Sequence, residues 1–386
     1  MTTARLLGDC IDNGAPVSAT EAILLKLAPG ALPFMLDGRP VVFSERNQEL
    51  LELNESAAAL IVRLAEPVLL DAFRQDLRKS LPGRPDEADR LINDWSDRGI
   101  ISASIDWEHP YFRLGSAVHL TLGGACAEIG FGSDPFGQSL AAAFGHLRQD
   151  GHADIRVATV PAGDLAIIQI EGRPATIVPK RDAASELRAC LVELLLERSN
   201  LVALHAACLV ENCEAILLTG RPGSGKSTLA AALSARRWTC TSDDIVLFDP
   251  IRRAVKGIPL PLTIKEGAWR MIANSRPEIM DFPAVTRRDG QRVRYLPLSS
   301  VQGDDWMPVR AIVELHREDG AKPSLDPLSK IDCLRKLCSE AHVKSGRCTP
   351  QILGAMSTLV DRADALQLCY DEARHAASLL EQFFGL

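Results

Sequence analysis

Several absences in this sequence of 386 residues narrow its chemistry before any motif is read. It has no C-x-x-C pair; its ten cysteines (Cys10, Cys126, Cys190, Cys208, Cys213, Cys240, Cys333, Cys338, Cys348 and Cys369) stand apart. A zinc ribbon and a thioredoxin-like dithiol both need such a pair, so neither is expected. Scattered thiols fit a reducing compartment. No apolar run reaches membrane-spanning length, and the first residues lack the basic region and apolar core of a secretory signal. A cytoplasmic protein without membrane contact is expected. Positive charge is not in excess: 43 Lys and Arg stand against 50 Asp and Glu, a net charge of -7. Nucleic-acid binding driven by phosphate contacts is therefore disfavoured. No internal repeat or low-complexity tract is evident, which removes solenoid architectures.

What is present is an ordinary globular composition, 46% hydrophobic and 24% charged. The length suits roughly two to three domains with a large core. One stretch carries a sharp signal. Leu217-Leu218-Thr219 ends an apolar run. Gly220-Arg221-Pro222-Gly223-Ser224-Gly225-Lys226-Ser227-Thr228 follows, and Leu229 to Leu233 then read as a helix. This is the P-loop pattern G-x-x-x-x-G-K-[ST] between the strand and helix that it requires. Glycines let backbone N–H groups converge on phosphate oxygens, and the helix N-terminus adds its positive dipole end. Lys226 is placed for the β- and γ-phosphates and the Ser227 hydroxyl for Mg2+, so ATP and Mg2+ are the expected ligands.

Upstream, Met1 to Leu32 carries little pattern beyond a short helix predicted at Ala22–Leu27, ended by Pro29-Gly30. Pro33 to Phe43 reads as two strands around Gly38. Asn54 is placed as an N-cap for a helix through Ala57, Leu60, Ile61 and Leu64. Val68 to Leu77 gives a second helix, broken by Pro82-Gly83. Ala88, Leu91, Ile92 and Trp95 give a third, closing at Gly99 before Ile100-Ile101. This strand pair with three helices makes a small winged-helix-like α+β domain. The acidic last helix (Asp86, Glu87, Asp89, Asp94, Asp97) disfavours a DNA-binding version.

With Leu53-Asn54-Glu55-Ser56-Ala57 opening the first helix and Trp95-Ser96-Asp97-Arg98-Gly99-Ile100-Ile101 closing the last, this order resembles the PqqD-type peptide-binding domain. The resemblance covers about Pro33 to Ser102. It implies capture of the leader of a ribosomally made precursor peptide as an extra strand on an open sheet edge, beside a helix. Such β-augmentation takes affinity from main-chain hydrogen bonds and selectivity from side-chain pockets.

After a linker near Asp106–Pro110, short strands are predicted at 118–122, 127–131, 155–160 and 165–170. A helix is predicted at 187–196 and strands at 201–210 and 215–218, with Glu211-Asn212 as a hairpin turn. Trp238 to Phe248 reads as one apolar strand holding Asp243 and Asp244 near its start. Alternation then sends the two carboxylates to opposite faces, one for metal and one for a substrate hydroxyl. Arg310–Leu315 reads as a strand, and Pro327–Leu337 and Glu372–Phe383 as helices. Taken alone, His205 beside Ala206-Ala207 reads as a core histidine, and a single Asp after a P-loop would fit any P-loop NTPase.

Leu204-His205, then Gly220 to Ser227, then Ser242-Asp243-Asp244 resembles the HPr kinase/phosphorylase family over about Val118 to Phe384. The resemblance implies an α/β P-loop kinase domain, a mixed sheet with flanking helices. Carried over by position, Lys226 contacts phosphate and Ser227 contacts Mg2+. Asp244 is the base for the acceptor serine, Asp243 supports the metal or Asp244, and His205 lies beside the transferring phosphate. The family's second metal-binding acid maps to Glu266, Lys265 to a phosphate contact, and its arginine to Arg294 among Arg287, Arg288 and Arg292. Thr228 stands where the family has Glu, and the family's own N-terminal domain is replaced.

The expected organisation is an N-terminal extension (1–32), a PqqD-like domain (33–105), a linker (106–117) and an HPr-kinase-like domain (118–386). The expected function is an ATP-dependent kinase acting on a hydroxyl, most simply serine, of a precursor peptide held by the N-terminal domain. A peptide switch that only binds or hydrolyses ATP and a small-molecule kinase stand as alternatives. A homo-oligomer is left open.

Overall fold

Ile23 and Leu25 are fully buried in β1 (Ile23–Leu27) while Lys26 is exposed, the two-residue period of a strand with one face in a core. This corrects the helix predicted at Ala22–Leu27. Five residues with apolar positions two apart satisfy either period, and pairing decides: β1 lies between β5 (Val68–Leu69) and β6 (Ile101–Ile105), antiparallel to both. The structure, a computed structural model, describes residues 19–81, 84, 87–109, 116–122, 125–147, 153–197, 199–236, 238–287, 289–298, 306–344 and 346–385. Cys10, the Pro82-Gly83 break, Asp86, Pro110 and Arg288 lie outside them.

The chain divides into two units. The first holds the described residues of Met1–Gly115, Phe131–Ser133 and Ala158–Pro179. Here β2 (Ala31–Leu36), β3 (Arg39–Ser44) and β4 (Glu49–Glu52) form an antiparallel meander. Asn54 then caps α1 (Glu55–Arg63), its side chain accepting the Ala57 N–H at 2.8 Å. α2 (Leu70–Ser80) and α3 (Glu87–Asp97) bury Phe73, Leu77, Ile92 and Trp95 against β1 and β6. The same core takes in Ala158, Val160, Ala162, Leu165, Ile167 and Ile177. The unit therefore starts before Pro33 and includes a segment that the expected division at 118 assigns elsewhere. Sequence distance hid this, because β10 (Leu165–Ile170) and β11 (Thr176–Pro179) make a hairpin far downstream that supplies part of that core.

The second unit opens with β7 (Ser116–Leu122), most of β8 (Ala125–Phe131) and α4 (Pro135–Ala143), then the start of β9 (Ile155–Ala162). It continues with α5 (Ala183–Glu197), which leads to β12 (Val202–His205). The single strand expected at 201–210 is two strands. β12 joins one sheet, and β13 (Ala207–Glu211), after a break at Ala206, joins another. β13 turns through Asn212 and Cys213, both at positive φ, into β14 (Glu214–Thr219). α6 (Lys226–Ser234) follows, then β15 (Thr239–Ser242) and β16 (Ile245–Asp249).

The central six-stranded sheet has the order β15-β13-β14-β21-β24-β22, with β21 (Val309–Arg317), β22 (Ser324–Pro327) and β24 (Asp364–Tyr370). It is mixed: β14, β21 and β24 run parallel, and the outer strands run antiparallel to their neighbours. Alternation sorts its two faces. Leu209, Ile216 and Leu218 pack with α6 and α10 (Ala373–Phe384). Cys208, Val210 and Leu217 pack with α8 (Lys330–Ser339) and α9 (Pro350–Arg362). The result is a helix–sheet–helix sandwich within this unit. Beside it, β17 (Ala254–Gly257), β16, β12 and β23 (Ala341–His342) make a four-stranded sheet, and β18 (Leu262–Lys265), β19 (Val285–Thr286) and β20 (Arg292–Leu296) a three-stranded one, with the short α7 (Trp269–Ala273) following β18 in the chain. Among the described residues no helix is long and apolar enough to cross a membrane.

Candidate functional site

The loop between β14 and α6 takes its shape from two glycines. Gly220 has φ 138, and a Cβ there would lie 2.9 Å from the Leu315 carbonyl oxygen, which cannot yield. Gly225 has φ 93, and a Cβ there would lie 2.4 Å from the Tyr370 hydroxyl. That hydroxyl donates to the Ser224 carbonyl at 2.6 Å, fastening the loop to β24. No side chain caps α6, so its first N–H groups remain available to an anion. Arg221, Pro222 and Gly223 are exposed at the loop tip, Ser227 and Thr228 are half-buried, and Ser224 Oγ is buried without a hydrogen-bond partner. Lys226 is buried and folds back to donate to the Gly220 carbonyl at 2.7 Å. Burial lowers its pKa, against the pull of Asp244, Glu340 and Asp243.

Asp243 and Asp244 do not lie on one strand. They occupy the bend between β15, which pairs with β13, and β16, which pairs with β12. The strand expected over Trp238–Phe248 is thus broken at the carboxylates. Ser242 holds the bend, its hydroxyl donating to the Ile245 carbonyl at 2.6 Å and accepting the Ile245 N–H at 3.2 Å. The bend, not strand alternation, separates the two side chains. Asp243 is only 1% exposed and accepts the Thr263 N–H at 2.9 Å, with the Ser227 hydroxyl close enough to help lower its pKa. Burial and the neighbouring Asp244 raise its pKa, opposed by Arg188, the Thr263 N–H and Ser227. Asp244 is 45% exposed and meets His205 Nε2 at 3.0 Å. What burial it has would raise its pKa; the His205 hydrogen bond and the charges of Arg188, His205 and Lys226 outweigh that and hold it at about 2. His205, whose strand pairs with Ile245 next to Asp244, has a raised pKa, chiefly from the Asp244 hydrogen bond.

Two further residues join this cluster and a third lies on the strand beside the loop; none of the three was singled out from the sequence. Glu340, just past α8, sits 3.0 Å from His205 Nδ1, and its carbonyl accepts the His205 N–H at 3.2 Å. Arg188 of α5 reaches Asp244 at 3.3 Å and Asp243 at 3.5 Å through one nitrogen and bonds the Thr263 hydroxyl through another. Glu314 lies opposite Thr219 on the strand parallel to β14; Lys336 of α8 pairs with one of its oxygens, while the other is buried without a hydrogen-bond partner. Of the three, only Glu314 left a trace in the sequence, an apolar strand run ending in an acid. Glu340 and Arg188 are surface-like charges whose roles arise in three dimensions.

The stretch after Gly257 is brought in only partly. Lys265 is close enough to help depress the Lys226 pKa. Glu266 is half exposed and paired with Arg292. Arg294 Nη1 donates to the carbonyls of Ile279, Met280 and Phe282, and the guanidinium lies 4.6 Å from the Trp269 ring centre. These contacts tie Arg294 to its own loop, and Arg287 lies against Asp289. Among the described residues no group of three or more His, Cys, Asp and Glu side chains is arranged to hold a metal. An Mg2+ that arrives with phosphate needs fewer, since it keeps waters and phosphate oxygens as ligands. The Ser227 hydroxyl beside the Asp243 carboxylate is such a donor set. A cavity of about 1050 Å3 in the same unit, lined among others by Asp249, Arg252, Lys256, Trp306 and Lys344, contains none of the expected site residues.

No protein-family model matches the chain. No curated protein is significantly similar to it.

Proposed function

We propose that the chain is an ATP-dependent kinase whose second unit transfers the γ-phosphoryl group to a hydroxyl of a peptide, most simply a serine, and whose first unit captures that peptide by its leader. The supporting observation is the convergence of an uncapped P-loop helix, the nearness of Ser227 to Asp243 and the exposed, ionised Asp244 with His205 on it. A P-loop NTPase needs only the first two.

In this reading the N–H groups of Gly223 to Ser227 and the Lys226 ammonium bind the phosphates, exchanging the Gly220 carbonyl for phosphate oxygen. Ser227 and Asp243 would hold Mg2+, which would supply positive charge against the phosphates. Asp244 accepts the hydrogen bond of the incoming hydroxyl and takes its proton late. A carboxylate of low pKa suffices for that, because a loose phosphoryl-transfer transition state leaves the nucleophile little altered until bond formation. His205, carrying a proton at its raised pKa, places positive charge beside the transferring group, and Glu340 orients its ring. Arg188 holds both carboxylates in place.

For the first unit, the support is the edge strand β2. Leu32, Phe34, Met35 and Leu36 are exposed on it. An unprotected apolar edge is an aggregation hazard unless something pairs with it, and an added peptide strand would both pair its backbone and cover these side chains. Tethering then raises the local concentration of the acceptor, so the kinase site can bind it weakly.

The test is incubation of the full chain with γ-labelled ATP, Mg2+ and a panel of leader-bearing peptides that carry serine or threonine acceptors. Label on a peptide hydroxyl supports the reading. Release of free phosphate alone, with the peptide bound and unlabelled, overturns it in favour of an ATP-driven peptide switch.

A further inference from the structure

We propose that the cavity of about 1050 Å3 between the end of α5, the β12–β16–β17 ladder and the start of α9 is a second ligand site, built for an organic anion with an apolar body and a carboxylate or phosphate head. Its volume suits a small molecule, since ligand pockets run to about 300–1,000 Å3. Its walls divide by chemistry. Leu201, Leu247, Ile258, Val343 and Trp306 supply apolar surface. Arg252, Lys256 and Lys344 supply three positive charges, and Asp249 is the one acid among the described lining residues.

That acid is already satisfied. Asp249 Oδ1 accepts the N–H groups of Ile251 at 2.8 Å and Arg252 at 3.1 Å, and Oδ2 pairs with the Arg252 guanidinium. Three cations against one acid leave the lining with two positive charges in excess. Lys256 lies opposite Leu247 in the β16–β17 ladder, so both face the cavity side of that sheet. Val246 and Phe248 alternate to the other side, into the core with α8 and α9. The Arg252 guanidinium stands 5.7 Å from the Trp306 ring centre, a cation against an indole at the wall. An anion seated here gains charge-assisted hydrogen bonds while its body displaces water from the apolar wall. A neutral molecule gains only the second, and a cation meets the surplus positive charge.

The cavity is separate from the glycine loop but built on the elements that carry the cluster beside it. Leu201 stands just before β12 and His205 ends that strand, about 13 Å further on. On α5, Leu195 lines the cavity, and Arg188, two turns earlier on the same stripe and about 10 Å along the axis, reaches Asp243 and Asp244. β23 follows Glu340, the partner of His205, and leads into Val343 and Lys344 of the cavity wall. None of Gly220 to Thr228 lines the cavity, so a ligand there leaves the loop open to ATP.

Binding here does not depend on kinase activity. The full chain is titrated by isothermal calorimetry with naphthoate, naphthyl phosphate and the neutral naphthalenemethanol, each with and without saturating Mg-ATP. The expected result is one anion bound per chain, at least about tenfold tighter than the alcohol and undisturbed by ATP. The tighter of the two anions assigns the head group. Lys256→Met/Lys344→Met weakens the anion by about tenfold or more and leaves the alcohol unchanged. Lys344→Glu, a change at an exposed side chain, repeats the test if the half-buried Lys256 is needed for folding. Anions held no tighter than the alcohol, displacement by ATP, or affinity unmoved by these substitutions would overturn the proposal. Anion binding in a chain that neither binds ATP nor labels a peptide would leave this site standing and remove the kinase reading instead.

Discussion

Two arginines, one in each unit, are buried between a pair of aspartates, and they have opposite characters. Arg74 in the first unit uses every face of its guanidinium. Nε meets Asp89 at 2.6 Å, Nη1 pairs with Asp71, and Nη2 donates to the Ala162 carbonyl at 2.9 Å. Asp89 also accepts the Asp164 N–H at 3.0 Å, and Asp71 accepts from the Thr20 hydroxyl. Arg188 in the second unit shares one nitrogen between two aspartates at 3.3 and 3.5 Å, and one of those carboxylates is 45% exposed. The first cluster is closed and complete, which suits a fastener joining α2, α3 and the turn between β9 and β10. The second is loose, open to solvent and close to Lys226 of the glycine loop, which suits a site that must exchange partners. The same residue types thus separate into structure and chemistry by how completely they are satisfied.

The sharpest break of this contrast is expected from Asp244→Asn. It keeps the shape of the open cluster and removes the carboxylate. Peptide phosphorylation should fall by about 10²–10⁴-fold, the usual share of a positioned acid or base, while ATP affinity by equilibrium dialysis and the thermal midpoint stay near those of the parent. Full activity on a verified peptide would remove Asp244 from the proposed role.

Arg74→Met should do the reverse. It leaves Asp89, itself 9% exposed, as a buried charge without its partner, at a cost of about 3–5 kcal/mol in denaturant unfolding. Activity per folded molecule should be retained. The double variant Arg74→Met/Asp89→Leu should recover part of the loss, because the stranded charge is gone. Arg188→Met should cost less, about 1–3 kcal/mol, and should cut phosphotransfer. Equal destabilisation by Arg74→Met and Arg188→Met would erase the distinction between a closed and an open cluster.

A third contrast lies within the first unit, between its closed Arg74 cluster and its exposed β2 edge. Removing Met1 to Ser102 is a poor test of leader capture, because Ala158–Pro179 would lose the core that they share. Phe34→Asp is cleaner: the side chain is 39% exposed, and the change sets a charge on the edge where an apolar strand would dock. The apparent KM for a leader-bearing peptide should rise by about tenfold, with kcat and the leaderless peptide nearly unchanged. An equal rise for both peptides would reject capture at this edge.

How much of this was legible in the sequence follows from where each signal resides. The P-loop is contiguous, and Gly220 and Gly225 are required by local backbone geometry, so a reading of neighbours finds them. Asn54 is legible for the same reason. Asp243 and Asp244 were legible as residue types but not as a bend, because the break reflects two sheets claiming the strands on either side. Lys26 among apolar neighbours could not announce β1, whose partners lie more than forty residues away. Glu340 and Arg188 look like ordinary charges on helices, and only the packing of α8 and α5 gives them partners. Glu266 and Arg294 had a suggestive neighbourhood, but their charges are spent on Arg292 and on loop carbonyls. Local patterns carried the cradle; the groups that surround it are a property of tertiary contact.

The smallest expected effect is the most diagnostic of the open cluster, because it concerns sign. His205 has a folded pKa above its ordinary 6.5, so its share of stability is complete below that value and is lost as pH rises through the raised one. Asp244, depressed from 3.8 to about 2, contributes a share that is present above 3.8 and lost as pH falls toward 2. Asp243 acts oppositely: its raised pKa makes its ionisation in the folded state a cost that appears as pH climbs past 3.8. The His205–Asp244 pair therefore predicts a shallow decline in stability above pH 6.5 that His205→Gln abolishes. Glu340→Gln should lessen it, since Glu340 contributes a smaller part of the His205 shift. Denaturant midpoints measured at intervals from pH 5 to 9 would read this directly. An unchanged slope in His205→Gln would mean that the histidine does not carry the proton assigned to it, and the positive charge beside the phosphate would have to come from Lys226 and Arg188 alone.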